Sequence, residues 1–310
     1  MASSPEFNEK IHFLDIASNL PGYRQSWSPN TFKVRLLLNA KGIPYTEQYI
    51  SYPDIAPLSK SYGVEPTDKE DSTYTLPAIY HPETLRTLVP GGQIMPESIT
   101  IARHLDTLYP STRIQAFPHP KPQSEALWQE AENHLNGIIS TKRGKGYRLL
   151  HPRIPSILDP RGADYFILTR IRDHPDHLSP LQWGSANMED DWSTIRPFVL
   201  AYLEFHDSTR SSAVSSGLGQ DGPFLWGDNP TMGDIYLASL LVWFRSASDP
   251  FLDRLLAIGE QSEPASRKTE QGEHERVWEK SPIRGVWDAF GEKGWLQGVG
   301  QPREIPLGDA

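Results

Sequence analysis

The sequence predicts an α+β N-terminal domain followed by an all-α C-terminal domain, and three observations carry that reading. Strand-like apolar runs alternate with helix signals only in the first third of the chain, a proline-rich stretch then interrupts the pattern, and the remainder repeats its apolar residues at helical spacing. A chain of 310 residues accommodates two domains of unequal size, and a hydrophobic content of 37% gives each of them a core.

Ile11 to Ile16 reads as the first strand, and the polar loop Ala17 to Trp27 follows it. Ser28-Pro29 opens a helix, because Ser favours the N-cap and Pro the first helical position. Val34, Leu37, Leu38 and Lys41 share one face of that helix with Leu36 and Ala40 beside it, and Gly42 followed by Pro44 ends it. Tyr45 to Ile50 is a second strand, and Tyr52 to Val64, broken by Pro53 and Pro57, has room for one short helix. Thr75 to Tyr80 and Thr84 to Val89 predict a hairpin over His81-Pro82-Glu83. Pro96 to Tyr109 predicts a closing helix with Ile101, Ala102, Leu105 and Leu108 on its apolar face. This order is thioredoxin-like. The domain so defined covers 9–110, the proline-rich 111–122 is a linker, and the helical domain covers 123–310.

Apolar periodicity in the second domain marks Glu125 to Lys142, Gly162 to Arg172, Met188 to His206, Thr231 to Ser246, Pro250 to Ile258 and Val277 to Phe290 as helices. Ser208 to Gly222 and Gly259 to Glu273 read as polar loops.

Charge and composition narrow the function. The net charge of −9, without a basic face, argues against a nucleic-acid partner. No run approaches the roughly 20 apolar residues that a membrane span needs. Met1 to Lys10 is polar, unlike a signal peptide, so the expected location is cytoplasmic with no membrane partner. With no cysteine the chain offers no disulfide, thiolate metal site or protein-thiol nucleophile, so any sulfur chemistry needs a ligand that brings the sulfur. The 10 histidines show no metal-ligand spacing; His81, His119, His151, His174 and His177, each beside or near a proline, read as solvated loop residues.

Three stretches of the first domain carry chemistry. Ser26-Trp27-Ser28-Pro29-Asn30-Thr31 sets two hydroxyls and an amide where a strand hands over to a helix N-terminus, whose unpaired N–H groups and partial positive charge stabilise a thiolate; the same Ser28 also reads as an ordinary cap. Leu76-Pro77 puts a proline inside a good strand, which either an edge position or a cis peptide resolves; the cis form would turn the backbone of Leu76 outward to pair with an extended peptide ligand. Pro96-Glu97-Ser98 begins a helix whose N–H groups and Ser98 suit a carboxylate while Glu97 suits an ammonium, so an amino-acid zwitterion fits both, as does a plain acidic first turn.

In this order and spacing the three stretches, with Lys33-Val34-Arg35 behind the first, resemble the glutathione-transferase superfamily. A fourth stretch, Gly227-Asp228-Asn229-Pro230-Thr231-Met232-Gly233-Asp234, resembles the same family's helical-domain motif, in which Thr231 caps a helix and Asp234 reaches back to it. Within the superfamily, Ser28 to Asn39 and Asp159-Pro160-Arg161-Gly162-Ala163-Asp164-Tyr165-Phe166 resemble the fungal FuA branch related to bacterial β-etherases, a likeness running from Phe13 to Phe244.

The resemblance implies a glutathione-transferase fold with glutathione as the cofactor. It assigns Ser28 to the glutathione sulfur, with Ser26 and Asn30 as rivals; Ser28 is favoured because it directly precedes the helix proline. Leu76 before cis-Pro77 would pair with the cysteinyl backbone, and Glu97 with Ser98 would hold the γ-glutamyl group. A hydrophobic acceptor and a homodimer are implied as partners. Tyr23, Trp27, Tyr147, Tyr165, Phe166 and Trp243 are candidates to line the acceptor pocket in the cleft between the domains, Trp27 foremost because a large ring in a loop next to Ser28 has little core to serve. Three functions fit: a transferase acting by conjugation or ether cleavage, a carrier of hydrophobic phenolics, and a glutathione-assisted isomerase or dehydratase in secondary metabolism.

Overall fold

The computed structural model describes residues 10–67, 73–81, 94–112, 114–118, 120–140, 146–173, 188–260 and 277–302. The chain divides into two compact units, one formed by Met1–Arg113, Pro155–Leu168 and Trp295–Ala310, the other by Ile114–Ile154 and Thr169–Gly294.

The first unit is built on a mixed sheet of β1 (Ile11–Ile16), β2 (Tyr45–Ile50), β3 (Ala78–Tyr80), β4 (Ile94–Pro96) and β5 (Gln301–Pro302), in the order β4-β3-β1-β2-β5. β1 runs parallel to β2 and antiparallel to β3, which is antiparallel to β4. Every residue of β1 is buried, the continuous pattern of a strand covered on both faces. Around the sheet lie α1 (Pro29–Lys41), α2 (Ile55–Ser61) and α3 (Ser98–Leu108). Pro29 starts α1 as the sequence predicts, and Gly42, at φ +66°, ends it with its N–H on the carbonyls of Asn39 and Leu38. The helix is buried from Thr31 to Leu38, Lys33 and Arg35 included, rather than along one stripe.

Several boundaries differ from expectation. The strand expected from Thr75 begins at Ala78, so Pro77 precedes it rather than interrupting it. The expected hairpin strand Thr84 to Val89 lies outside the described residues, and β3 pairs with Ile94–Pro96. Pro96 therefore closes a strand, and the helix expected to begin there begins at Ser98.

The second unit is helical, with α4 (Lys121–Ile139), α5 (Gly146–Leu150), α6 (Pro160–Asp173, divided between the units), α7 (Met188–Ser215), α8 (Met232–Ala247), α9 (Asp249–Ala257) and α10 (Pro282–Glu292). α8 is buried on every side from Met232 to Ser246, the signature of a central helix. The expected loop from Ser208 is helical to Ser215: Ala213 is buried there, and that packing outweighs the weak helix preference of the serines. The final helix starts at Pro282 rather than Val277, because the N–H of Trp278 bonds to the carbonyl of Gly259 and Ser281 supplies the cap, accepting the N–H of Arg284. His81 and His151 are buried, not solvated; His151 packs on Tyr147 and Trp243, with ring centres 4.4 and 5.9 Å away. His119, His174 and His177 lie outside the described residues. Among the described residues no helix is long and apolar enough to cross a membrane.

The start of α8 follows the sequence reading. Asp234 Oδ2 accepts the Thr231 N–H at 2.8 Å and the Thr231 hydroxyl at 2.9 Å, while Oδ1 accepts the N–H of Leu225 at 2.9 Å. Gly233 permits this turn to sit close, since a Cβ there would stand 2.6 Å from Leu225 and 2.9 Å from Ala131. Replacing Asp234 by Ala strands these buried donors, each costing about 1–3 kcal/mol. Denaturant unfolding of Asp234→Ala is expected to show a loss of about 3 kcal/mol or more; a loss below about 1 kcal/mol would show that water replaces the carboxylate.

Candidate functional site

Sheet topology brings the sequence candidates to one end of the first unit. Because β1 and β3 are antiparallel with Leu14 opposite Ala78, and β3 and β4 antiparallel with Ala78 opposite Pro96, the end of β1, the start of β3 and the end of β4 coincide. The loop after β1 carries Ser26, Trp27 and Ser28; Leu76 and Pro77 immediately precede β3; Glu97 and Ser98 immediately follow β4. β2, parallel to β1, ends at the same side and hands over to Ser51 and Tyr52.

At the N-terminus of α1 the rivals separate. Ser28 occupies the N-cap with extended backbone, yet its side chain makes no capping bond, and the residue is 5% exposed. Its hydroxyl is not spent on the helix. Ser26 is fully buried and its hydroxyl donates to Asp15 Oδ2 at 2.5 Å. Asn30, two residues beyond Ser28, is exposed.

Asp15 belongs to a buried ion cluster that the sequence did not announce. The guanidinium of Arg35, without solvent contact, lies 2.7 Å from Glu47 Oε2 and 3.4 Å from Asp15 Oδ2, and donates to the hydroxyls of Tyr49 at 2.7 Å and Tyr45 at 3.3 Å. Burial opposes its charge, but Tyr45, Asp15, Tyr49 and Glu47 more than offset that and hold its pKa above the usual value. The hydrogen bond from Ser26 connects the loop before α1 to this cluster.

The Leu76-Pro77 peptide is cis. Both residues are buried. Glu97 stands at φ +74°, a left-handed conformation that costs a non-glycine residue about 1–3 kcal/mol and is tolerated mainly where function selects it. Its Oε1 accepts the hydroxyl of Thr75 at 3.3 Å, and its carbonyl accepts the N–H of Ile101, so the residue is both helix cap and exposed carboxylate. Ser98, 6% exposed, is the first residue of α3. Thr75 was not singled out from sequence; its signal is only proximity to Pro77.

The aromatic candidates fall into two groups, one in each unit. In the first, Trp27 is 2% exposed and lies 6.4 Å from the ring of Tyr52, which stacks on Tyr165 at 6.1 Å and packs against Phe166 at 5.7 Å. The indole N–H of Trp27 is buried and meets no acceptor. Tyr23 is half-buried on the turn Gly22–Gln25 in the same unit. In the second unit, Tyr147 lies edge-on to Trp243 at 5.3 Å. Tyr52 was missed, since it sits in a segment without periodicity. The stretch Asp159 to Phe166 explains its place: Asp159 Oδ1 accepts the hydroxyl of Ser51 at 2.9 Å and the N–H of Gly162 at 3.0 Å, and Arg161 grips Asp54 through both guanidinium nitrogens at 2.9 and 2.7 Å. These bonds on either side fix Tyr52 against Tyr165 and Phe166.

Residues 27–108 match the family model described as Glutathione S-transferase, N-terminal domain, and residues 132–250 that described as Glutathione S-transferase, C-terminal domain. The Glutathione S-transferase-like protein ustS of Aspergillus flavus is 33% identical over 297 residues, 95% of this chain and 94% of that protein. Among solved structures, glutathione transferase GSTFuA3 from Phanerochaete chrysosporium superposes with a TM-score of 0.65 at 27% identity, covering 94% of this chain and 98% of that one. The glutathione S-transferase CsGST63524 of Ceriporiopsis subvermispora, in complex with glutathione, gives 0.64 at 26% identity with the same coverage.

The ion cluster makes a prediction in alkali. Burial pushes the phenols of Tyr45 and Tyr49 up, against the lowering by Arg35 and aided by Asp15 and Glu47. A folded pKa above the unfolded value of about 10 means that the fold keeps these protons while the unfolded chain loses them. Their contribution is therefore complete below pH of about 10 and falls above it, by about 1.4 kcal/mol per pH unit for each tyrosine. Spectrophotometric titration of folded wild type, Tyr45→Phe and Tyr49→Phe near pH of about 10–11 is expected to give equal tyrosinate signals. A smaller signal in either variant would show that its tyrosine ionises in the folded protein.

Proposed function

Because the chain belongs to the glutathione S-transferase family, we propose that it binds glutathione at the sheet end described above, ionises its thiol, and directs the thiolate at a hydrophobic electrophile, aromatic or a natural product. The observation that carries this reading is the N-terminus of α1, where Ser28 keeps its hydroxyl out of the helix cap. Ser28 donates to the sulfur, and the partial positive charge of the helix end adds to it. Ser26 is withdrawn from that role because its proton is engaged by Asp15.

The remaining parts of the tripeptide follow the sheet. Backbone groups of Leu76 pair with the cysteinyl residue in the manner of an added strand. Glu97, exposed and held by Thr75, takes the γ-glutamyl ammonium, while Ser98 and the N-terminus of α3 take its carboxylate. The acceptor lies against Tyr165, the exposed ring of the cluster, and the half-buried Tyr52. Trp27 and Phe166, nearly without solvent contact, serve the core after all and back these rings rather than meeting the acceptor directly. In the reaction the thiol proton passes to water and the sulfur lone pair forms the new carbon–sulfur bond. In substitution or ether cleavage the displaced group leaves with its bonding pair; in conjugate addition a proton from water completes the adduct.

A hydroxyl donor to a charged acceptor contributes about 1.5–3 kcal/mol, which corresponds to about 1–2 pKa units. Ultraviolet thiolate absorbance of bound glutathione, titrated against pH, is expected to show its pKa raised by about that much in Ser28→Ala, with the fold intact. An unchanged pKa would remove Ser28 from the role. In parallel, thiol consumption with an aromatic ether or other aromatic electrophile is expected; product without consumption would indicate isomerisation or dehydration, and binding with neither would indicate a carrier.

A further inference from the structure

The last described stretch of the chain is fastened to the ion cluster through Arg35 and Glu47. Asn39 Nδ2 donates to the carbonyls of Trp295 at 2.8 Å and Gly298 at 3.1 Å, and Arg35 Nη1 donates to the Gly298 carbonyl at 3.3 Å. The N–H of Gly300 donates to Glu47 Oε2 at 2.9 Å, and β5 then pairs with Thr46 and Glu47 of β2. Both glycines are required by space. A Cβ on Gly298 would stand 2.6 Å from the amide of Asn39, and one on Gly300 would stand 2.6 Å from the ring of Tyr45 and 3.1 Å from Glu47 Oε2.

One guanidinium here serves two buried carboxylates, and it favours Glu47 at 2.7 Å over Asp15 at 3.4 Å. The Gly300 N–H and the Tyr49 hydroxyl, which reaches Glu47 Oε1 at 3.4 Å, supply part of what Glu47 demands. The Gly298 carbonyl holds Nη1 in its direction. Taking the strap away would let Glu47 draw Arg35 further from Asp15, and Asp15 is the anchor of Ser26, two residues before Ser28. In a low-dielectric interior linked hydrogen bonds polarise one another, so a shift at one member is felt by the next.

We infer that Trp295–Gly300 is a positioning element for the sulfur site, acting through Glu47, Arg35, Asp15 and Ser26 on the aim of the Ser28 hydroxyl. The inference rests on the glutathione reading above. Its residues do not touch the ligand; they set the geometry of the residue that does.

The test compares wild type, Gly300→Ala, Ser26→Ala and the double variant, with two readouts on the full chain: the apparent pKa of the bound glutathione thiol, and the thermal midpoint. Each single variant is expected to raise the thiol pKa by about 0.5–1 unit, and the double variant by no more than the larger single shift, because both act on one path. A Gly300→Ala protein with a lowered midpoint and a wild-type thiol pKa would overturn the inference and leave the strap a purely structural clasp. Additive shifts would overturn it as well, showing separate routes. Should Gly300→Ala fail to fold, Asn39→Ala removes the amide bonds to Trp295 and Gly298 and is held to the same outcomes. Wild-type protein that binds no glutathione would instead overturn the glutathione reading, and this inference with it.

Discussion

A positive charge with no solvent contact can exist inside a protein only where opposite charge and hydrogen bonds surround it, and Arg35 is such a charge. Its partners come from β1 through Asp15, from β2 through Tyr45, Glu47 and Tyr49, and from the C-terminal stretch through Gly298. The guanidinium is thus buried only after distant parts of the chain have met. Breaking a buried pair by removing one partner costs about 3–5 kcal/mol, whereas a well-packed apolar replacement of the whole group is often neutral. What the cluster adds is position rather than net stability: it determines where β1, α1, β2 and the terminal strand stand relative to one another.

Function is layered on that frame. Parallel and antiparallel pairing gather the turn before α1, the start of β3 and the end of β4 at one end of the sheet. The ion cluster ties down the first of these by way of Ser26, and the Thr75 to Glu97 bond ties the other two together. Beside them, the pairing of 51–54 with 159–166 fixes the ring of Tyr52. The second unit follows a separate logic, in which a wholly buried helix is started by one carboxylate that satisfies three donors.

Features set by neighbours in sequence were readable before the structure. Ser28-Pro29 starting α1, Gly42 ending it and the Thr231–Asp234 cap all depend on local backbone chemistry, whereas local chemistry left the Leu76-Pro77 bond open and the family resemblance pointed to cis. Features set by partners far along the chain were not. Nothing near Arg35 announces that it is buried, since its partners lie at positions 15, 47 and 298; β5 is two residues long and its pairing partner is in β2. His151 and the helix through Ser215 depart from local preference for the same reason: prolines and serines set that preference while burial sets the outcome. Tyr52 went unnoticed in a stretch whose shape comes from Asp159 and Arg161.

The most direct test of the account is a crystal structure of the protein grown with glutathione. The sulfur is expected within about 3.5 Å of the Ser28 hydroxyl oxygen, with Ser26 still bonded to Asp15 and the γ-glutamyl group at Glu97 and Ser98. Sulfur resting on Asn30 or on Ser26, or glutathione bound away from this end of the sheet, would contradict it.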